Sequence, residues 1–247
     1  MLRSLLLAAT CTVSLLSPLG AQADESEDAF VEANILSIFY HEVGHAVIDQ
    51  MQVPIFGQEE DAADVLSVLM IDWLYEEEAA QELAVNSAFG YINDPDGEEE
   101  VAWWDLHGPD QQRYYNHVCL FYGADPDNRA GLAEDLDLPE DRAEMCPVEY
   151  EQAASSWGAV FDEMTPDSGV AMTFHAGTGA DAEVINQVLS EEVKSLKDDM
   201  SLPNEVIVKV ESCGEPNAFY DPEEVSISFC TEFIPHLRSL YQSNLQN

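Results

Sequence analysis

Between about Glu27 and Gln50 the apolar positions Phe30, Ile35, Ile38, Phe39 and Val47 fall at helical spacing, with Ser26 placed to cap the start, and they predict a helix. Pro54 and Gly57 break the chain. An acidic but amphipathic pattern then runs from about Glu59 to Tyr91, in one helix or two pieces, and ends at Asn93, Asp94, Pro95, Asp96 and Gly97. The stretch from Val101 to Gly123 is rich in aromatic residues and closes as a helix before Asp125 and Pro126. Another helix is expected over Val148 to Phe161. From Gly169 onward the period shortens. Strands are expected at Val170 to Phe174, Glu205 to Val210 and Val225 to Phe229, around a helix from about Ala182 to Asp198. The pattern predicts an α+β fold in one domain over residues 24–247, helical to about residue 165 and α+β beyond.

The first residues do not belong to that domain pattern. Arg3, an apolar run from Leu5 to Leu16, and the small-residue signal Ala21, Gln22, Ala23 read as a secretory signal peptide over residues 1–23. Cys11 falls within it, in surroundings that do not favour lipidation. No later stretch is long and apolar enough to span a bilayer, so stable membrane insertion is not expected. An exported chain, periplasmic or secreted, meets an oxidising compartment, and four cysteines remain to it. Two disulfides are expected. Sequence-local pairing is favoured because it closes compact segments: Cys119 with Cys146, and Cys213 with Cys230, the latter stapling the last two strands as a hairpin.

Charge removes one class of partner. Eight Lys and Arg face 49 Asp and Glu, a formal net charge of -41, which repels nucleic acid and anionic membrane surfaces. It would attract cationic substrates or Ca²⁺, or it is simply a solvated acidic surface. The turn at Asp94, Pro95, Asp96 and Gly97 is a weak candidate calcium loop, because later ligand positions are not filled in order.

The chemistry concentrates in His41, Glu42, Val43, Gly44 and His45, an HExxH motif inside a predicted helix. Residues four apart share a helix face, so His41 and His45 can present two imidazole nitrogens to one Zn²⁺. Glu42, beside the metal, has the position of a general base. A catalytic zinc needs a third protein ligand and one open position. The opening of the next helix offers Glu59, Glu60, Asp61 and Asp64. Glu60 and Asp64 are four apart, which suits Glu60 as the third ligand and Asp64 as the carboxylate that receives the other ring N–H of a ligand histidine. Glu59 and Asp61 are competing ligands.

The string FYHEVGHAVIDQMQVPIFGQEEDAADVLSVLM resembles the DUF4344 family, whose name proposes a metallopeptidase, and more distantly the gluzincin class of zincins. The resemblance continues through WWDLHGPDQQRYYNHVCLFYG, the segment around Cys146, and CGEPNAFYDPEEVSISFC. It implies a zincin-like fold and a Glu on the following helix as third zinc ligand.

Stabilising the transition state calls for a donor aimed at the developing oxyanion. His107, Arg113 and Tyr114 are the candidates, from a polar and aromatic stretch unusual for plain core, with His107 and Tyr114 placed as catalytic. His117, His175 and His236 read as structural. Asp221 and Pro222 read as a turn, while Asn217 and Tyr220 are open to a role beside an edge strand that an extended peptide could join. The expected function is a zinc metallopeptidase acting on peptide or protein substrates, in an oligomeric state the sequence leaves open. The rivals are a catalytically silent zinc protein that recognises peptides, and an acidic calcium-binding protein.

Overall fold

The computed structural model describes residues 19–92, 101–164 and 169–245, with side chains from residue 26 onward. Residues 1–18 of the expected leader and the acidic turn at Asp94 to Gly97 lie outside the described residues. The elements in chain order are α1 (Leu19–Met51), α2 (Glu59–Leu74), α3 (Glu77–Ala88), α4 (Asp110–Ala124), α5 (Ala130–Asp135), α6 (Glu140–Ala143), α7 (Cys146–Phe161), β1 (Thr173–His175), α8 (Ala180–Asp199), β2 (Ile207–Glu211), β3 (Ala218–Asp221), β4 (Ser226–Cys230) and α9 (Phe233–Asn244). The chain is mainly helical with a small mixed sheet.

Between Phe30 and Ile48 helix α1 is buried on nearly every side, its polar Asn34, Ser37, His41 and Glu42 included, which makes it the central helix of the core. Helices α2, α3, α8 and α9 and strands β3 and β4 pack around it. Its end is set earlier than Pro54 and Gly57 suggest. Gln52 takes a left-handed conformation (φ 53°), its N–H bonds to the Asp49 carbonyl at 3.2 Å, and the Val53 N–H bonds to the Ile48 carbonyl at 2.9 Å. That pair of bonds is a Schellman closure, and it sends the chain back along α1 as α2. The two helices then meet at Gly44, where an added Cβ would lie 2.9 Å from the Ala63 Cα. Gly44→Val is expected to cost about 1–3 kcal/mol through overpacking, read by denaturant unfolding, and to weaken metal binding, because His41 and His45 flank Gly44 while Glu60 and Asp64 flank Ala63.

The expected helix from Glu59 to Tyr91 is two helices, broken where Tyr75 and Glu76 are extended. Arg129 joins the neighbouring pieces. Its guanidinium, 3% exposed as a residue, reaches Asp72 at 2.7 Å, Glu77 at 2.7 Å and the Phe121 carbonyl at 2.7 Å, and lies 3.7 Å over the Phe121 ring. Arg129→Ala leaves the largely buried Asp72 carboxylate and the Phe121 carbonyl without their cationic donor, and a loss of about 1–3 kcal/mol in unfolding free energy is expected by chemical denaturation.

The sheet has the order β1-β2-β4-β3. Strands β1, β2 and β4 are parallel and β3 is an antiparallel edge. Strand β4 is buried along its whole length and forms the centre. This overturns the expected hairpin between the last two predicted strands: β2 and β4 run side by side in the same direction, with Val210 opposite Phe229. In sequence, β3 falls between β2 and β4, a strand of four residues at the sheet edge whose short pattern is hidden beside the Asp221 turn. In that turn the Asp221 Oδ1 accepts the Glu223 and Glu224 N–H groups. Both expected disulfides are formed, Cys119–Cys146 and Cys213–Cys230. The second joins the segment just after β2 to the last residue of β4, rather than stapling a hairpin. The first ties α4 to the start of α7.

Candidate metal centre

The residues of HExxH occupy the inner part of α1, and α2 begins alongside them because of the turn at Gln52. Every ring nitrogen of the two histidines has a defined neighbour. His41 Nδ1 lies 2.8 Å from Asp64 Oδ1, and His45 Nδ1 lies 2.8 Å from Glu59 Oε1. A carboxylate only accepts, so both Nδ1 atoms carry a proton, and the Nε2 atoms are the ring nitrogens turned inward, where they donate to Glu60 or, once deprotonated, can bind a metal. The two Nε2 atoms stand 3.1 Å apart, and Glu60 Oε2 stands 3.2 Å from each.

Once the imidazoles give up their Nε2 protons, three acceptors converge on one point and repel one another unless a cation lies between them. A tetrahedral ion with bonds of about 2.0–2.1 Å separates its donors by about 3.3 Å, which matches this triangle. The donor set therefore fits a divalent metal, with His41, His45 and Glu60 as ligands.

The electrostatics agree. Burial works to lower the His41 pKa, but hydrogen bonds to Asp64 and Glu60 outweigh it and lift it to about 9. His45 is raised in the same way, burial being overcome by Glu60 and Glu59. Hydrogen bonds from His107, His41 and His45 hold Glu60 far below the usual carboxylate range. Asp64 also stays ionised despite its burial, because Arg113 donates to Oδ2 through Nε and to Oδ1 through Nη2, each at 2.8 Å. Arg113 in turn lies 4.7 Å over the Tyr91 ring. These groups favour positive charge at one spot.

Glu42 projects beside the triangle, 6% exposed. Burial raises its pKa, opposed by the nearby His41 and His45 and by a hydrogen bond from the Tyr220 backbone N–H. Tyr220 belongs to β3, so the sheet edge positions the glutamate. The site opens into a cleft of about 1080 Å³, walled by α1, the start of α2, the segment carrying Leu106 and His107, strand β3, and α9.

Not every sequence candidate arrives here. His107 does: its Nε2 is 3.0 Å from Glu60 Oε2, and its ring stacks 5.9 Å from that of His41. Arg113 serves Asp64 rather than the open cleft. Tyr114 is a correction. It sits in a separate small core with Val118, Cys119 and Leu136, and its hydroxyl donates to the Leu136 carbonyl at 2.9 Å, because the α4 face that carries Arg113 turns Tyr114 the other way. His117 is structural, with Nε2 3.1 Å from the Ala84 carbonyl and burial pushing its pKa down to about 4. His175 is exposed at the end of β1, whereas His236, read as structural, lines the cleft. Glu59 lies against His45 Nδ1, a role that sequence reasoning missed in treating it as a rival ligand. Tyr220 was open, and its hydroxyl donates to Asp49 Oδ2 at 2.7 Å.

The model of the DUF4344 family, described as "Putative metallopeptidase", matches residues 14–161 and 180–247. The chain belongs to that family. Its description implies a bound metal ion and hydrolysis, and the histidine and glutamate triangle lies within the first matched segment. No curated protein and no solved structure matches the chain. Among the described residues no helix is long and apolar enough to cross a membrane, and the two disulfides point to a compartment other than the reducing cytoplasm.

Proposed function

We propose that this protein is an exported zinc metallopeptidase with a zincin-like fold, in which His41, His45 and Glu60 hold the metal and Glu42 is the general base. The observation that carries the reading is the triangle of His41 Nε2, His45 Nε2 and Glu60 Oε2, with a buried carboxylate beside it on the floor of an open cleft. Two imidazoles and one carboxylate form a donor set suited to catalytic zinc. When bound, the ion supplies a Lewis acid that polarises the scissile carbonyl and acidifies a water.

The remaining work belongs to the chain. Glu42, raised in pKa by burial and held by the Tyr220 N–H, takes a proton from the attacking water and passes it to the leaving amine. His107 stands at the mouth of the site with Nε2 3.0 Å from Glu60, and an imidazole released from Glu60 once that carboxylate ligates the metal would donate to the developing oxyanion. Asp64 and Glu59 fix the two ring orientations. Among the described residues, β3 pairs only with β4, so its outer edge, apart from the Tyr220 N–H that holds Glu42, offers backbone groups to an extended peptide lying across Glu42. The leader over residues 1–23 and the disulfides suit delivery of this domain, residues 24–247, to a periplasm or the exterior.

The test joins metal analysis to a peptide-library digest. One zinc per chain is expected, with cleavage abolished by a chelator and restored by zinc. Zinc-free protein, or cleavage indifferent to the chelator, would overturn the proposal.

A further inference from the structure

We infer that the cleft selects cationic peptides that also carry apolar side chains, an inference that rests on the peptidase reading above. The charged lining is one-sided: Glu42, Asp49, Glu59, Glu60 and Asp110 against the single guanidinium of Arg113, which is engaged by Asp64. Glu42 and Glu60 have work at the metal centre. Glu59 is engaged by His45 Nδ1, so Asp49 and Asp110 are left to face a substrate.

Their placement is useful. Asp49 follows His45 by one helical turn on the same face of α1 and is held against β3 by the Tyr220 hydroxyl. A peptide joined to the β3 edge would carry a side chain past it. Asp110 stands on the other wall, at the start of α4, beside Leu106 and His107.

Apolar surface borders these carboxylates. Trp103 is 79% exposed, Trp104 83% and Leu106 72%, all on the short segment that leads into His107. Phe219 on β3 is also exposed, and Phe56 protrudes fully from the turn before α2. A groove lined by Trp103, Asp105 and Tyr115 adjoins the metal cleft, and the two share Tyr91, His107, Asp110 and Arg113. A merely solvated acidic face has no use for adjacent exposed tryptophans, and such patches mark interaction sites. An indole face accepts both an apolar side chain and a Lys or Arg head group. Carboxylates and indoles together recognise cationic, amphipathic peptide.

The experiment uses the full chain and labelled peptides of one length and one apolar pattern, with Lys, Ser or Glu at the polar positions. Binding to the zinc-loaded Glu42→Gln protein is read by fluorescence anisotropy, and cleavage by wild type as kcat/KM. The Lys peptide is expected to bind about tenfold more tightly than the Ser peptide, with the Glu peptide weakest. Asp49→Asn with Asp110→Asn should erase that preference. Trp103→Ser with Trp104→Ser should weaken binding about fivefold. Neutralising the exposed Glu134, Asp135, Glu140 and Asp141, which do not line the cleft, should leave the preference in place. Equal binding of the Lys and Ser peptides, or a preference lost equally on neutralising those remote carboxylates, would overturn the inference. Cleavage indifferent to charge would sink it while leaving the peptidase reading standing. Selective binding of the Lys peptide without any cleavage by wild type would do the reverse.

Discussion

Glu42→Gln is expected to lower peptide hydrolysis by about 10²–10⁴-fold, the range for loss of a positioned general base, while zinc content stays at the wild-type level. The amide keeps the size of the side chain and its place among His41, His45 and the Tyr220 N–H, but it cannot take up the water's proton. The substitution also removes a buried group whose burial opposes its charge, so stability should not fall. Zinc analysis and kcat measured on the same preparation check both halves. Wild-type turnover in a zinc-replete Gln variant would remove Glu42 as the base.

Glu60→Ala is expected to act one step earlier, on the metal itself. Binding free energies of about 10–16 kcal/mol for four-ligand zinc sites imply about 3–4 kcal/mol per ligand, or about 10²–10³-fold in affinity. Glu59→Ala provides the comparison. Its carboxylate orients His45 without touching the metal, and losing such a partner costs about 10–100-fold. Competition titration with a zinc-binding dye ranks the two variants. If Glu59→Ala proved the more damaging, the ligand assignment between these neighbours would have to be exchanged.

Much of the centre could be read before any coordinates because its first half is local. The spacing of His41 and His45 puts two imidazoles on one face of any helix, and the spacing of Glu60 and Asp64 does the same on the next. The cysteine pairs were legible for a similar reason, since each closes a short segment. His107 was separable from Tyr114 only by knowing which way each side of α4 and its preceding segment faces. Apolar content could not decide that, because a tyrosine with a satisfied hydroxyl serves a core as well as an active site. Strand β3 was missed because four residues next to an Asx turn carry almost no periodic signal. The direction of β2 against β4 was missed because pairing depends on contacts between distant residues.

By itself, then, the sequence determined a helix bearing an HExxH face, a carboxylate-rich helix after it, a strongly acidic composition, and four cysteines beyond residue 23. Tertiary structure decided which carboxylate meets the imidazoles and which steers them. Glu59, Glu60 and Asp61 are equivalent in composition and differ only by the rotation of α2 about its axis. That rotation is set by the Schellman turn at Gln52 and by the close contact of Gly44 with Ala63, neither of which is a property of any single stretch of chain.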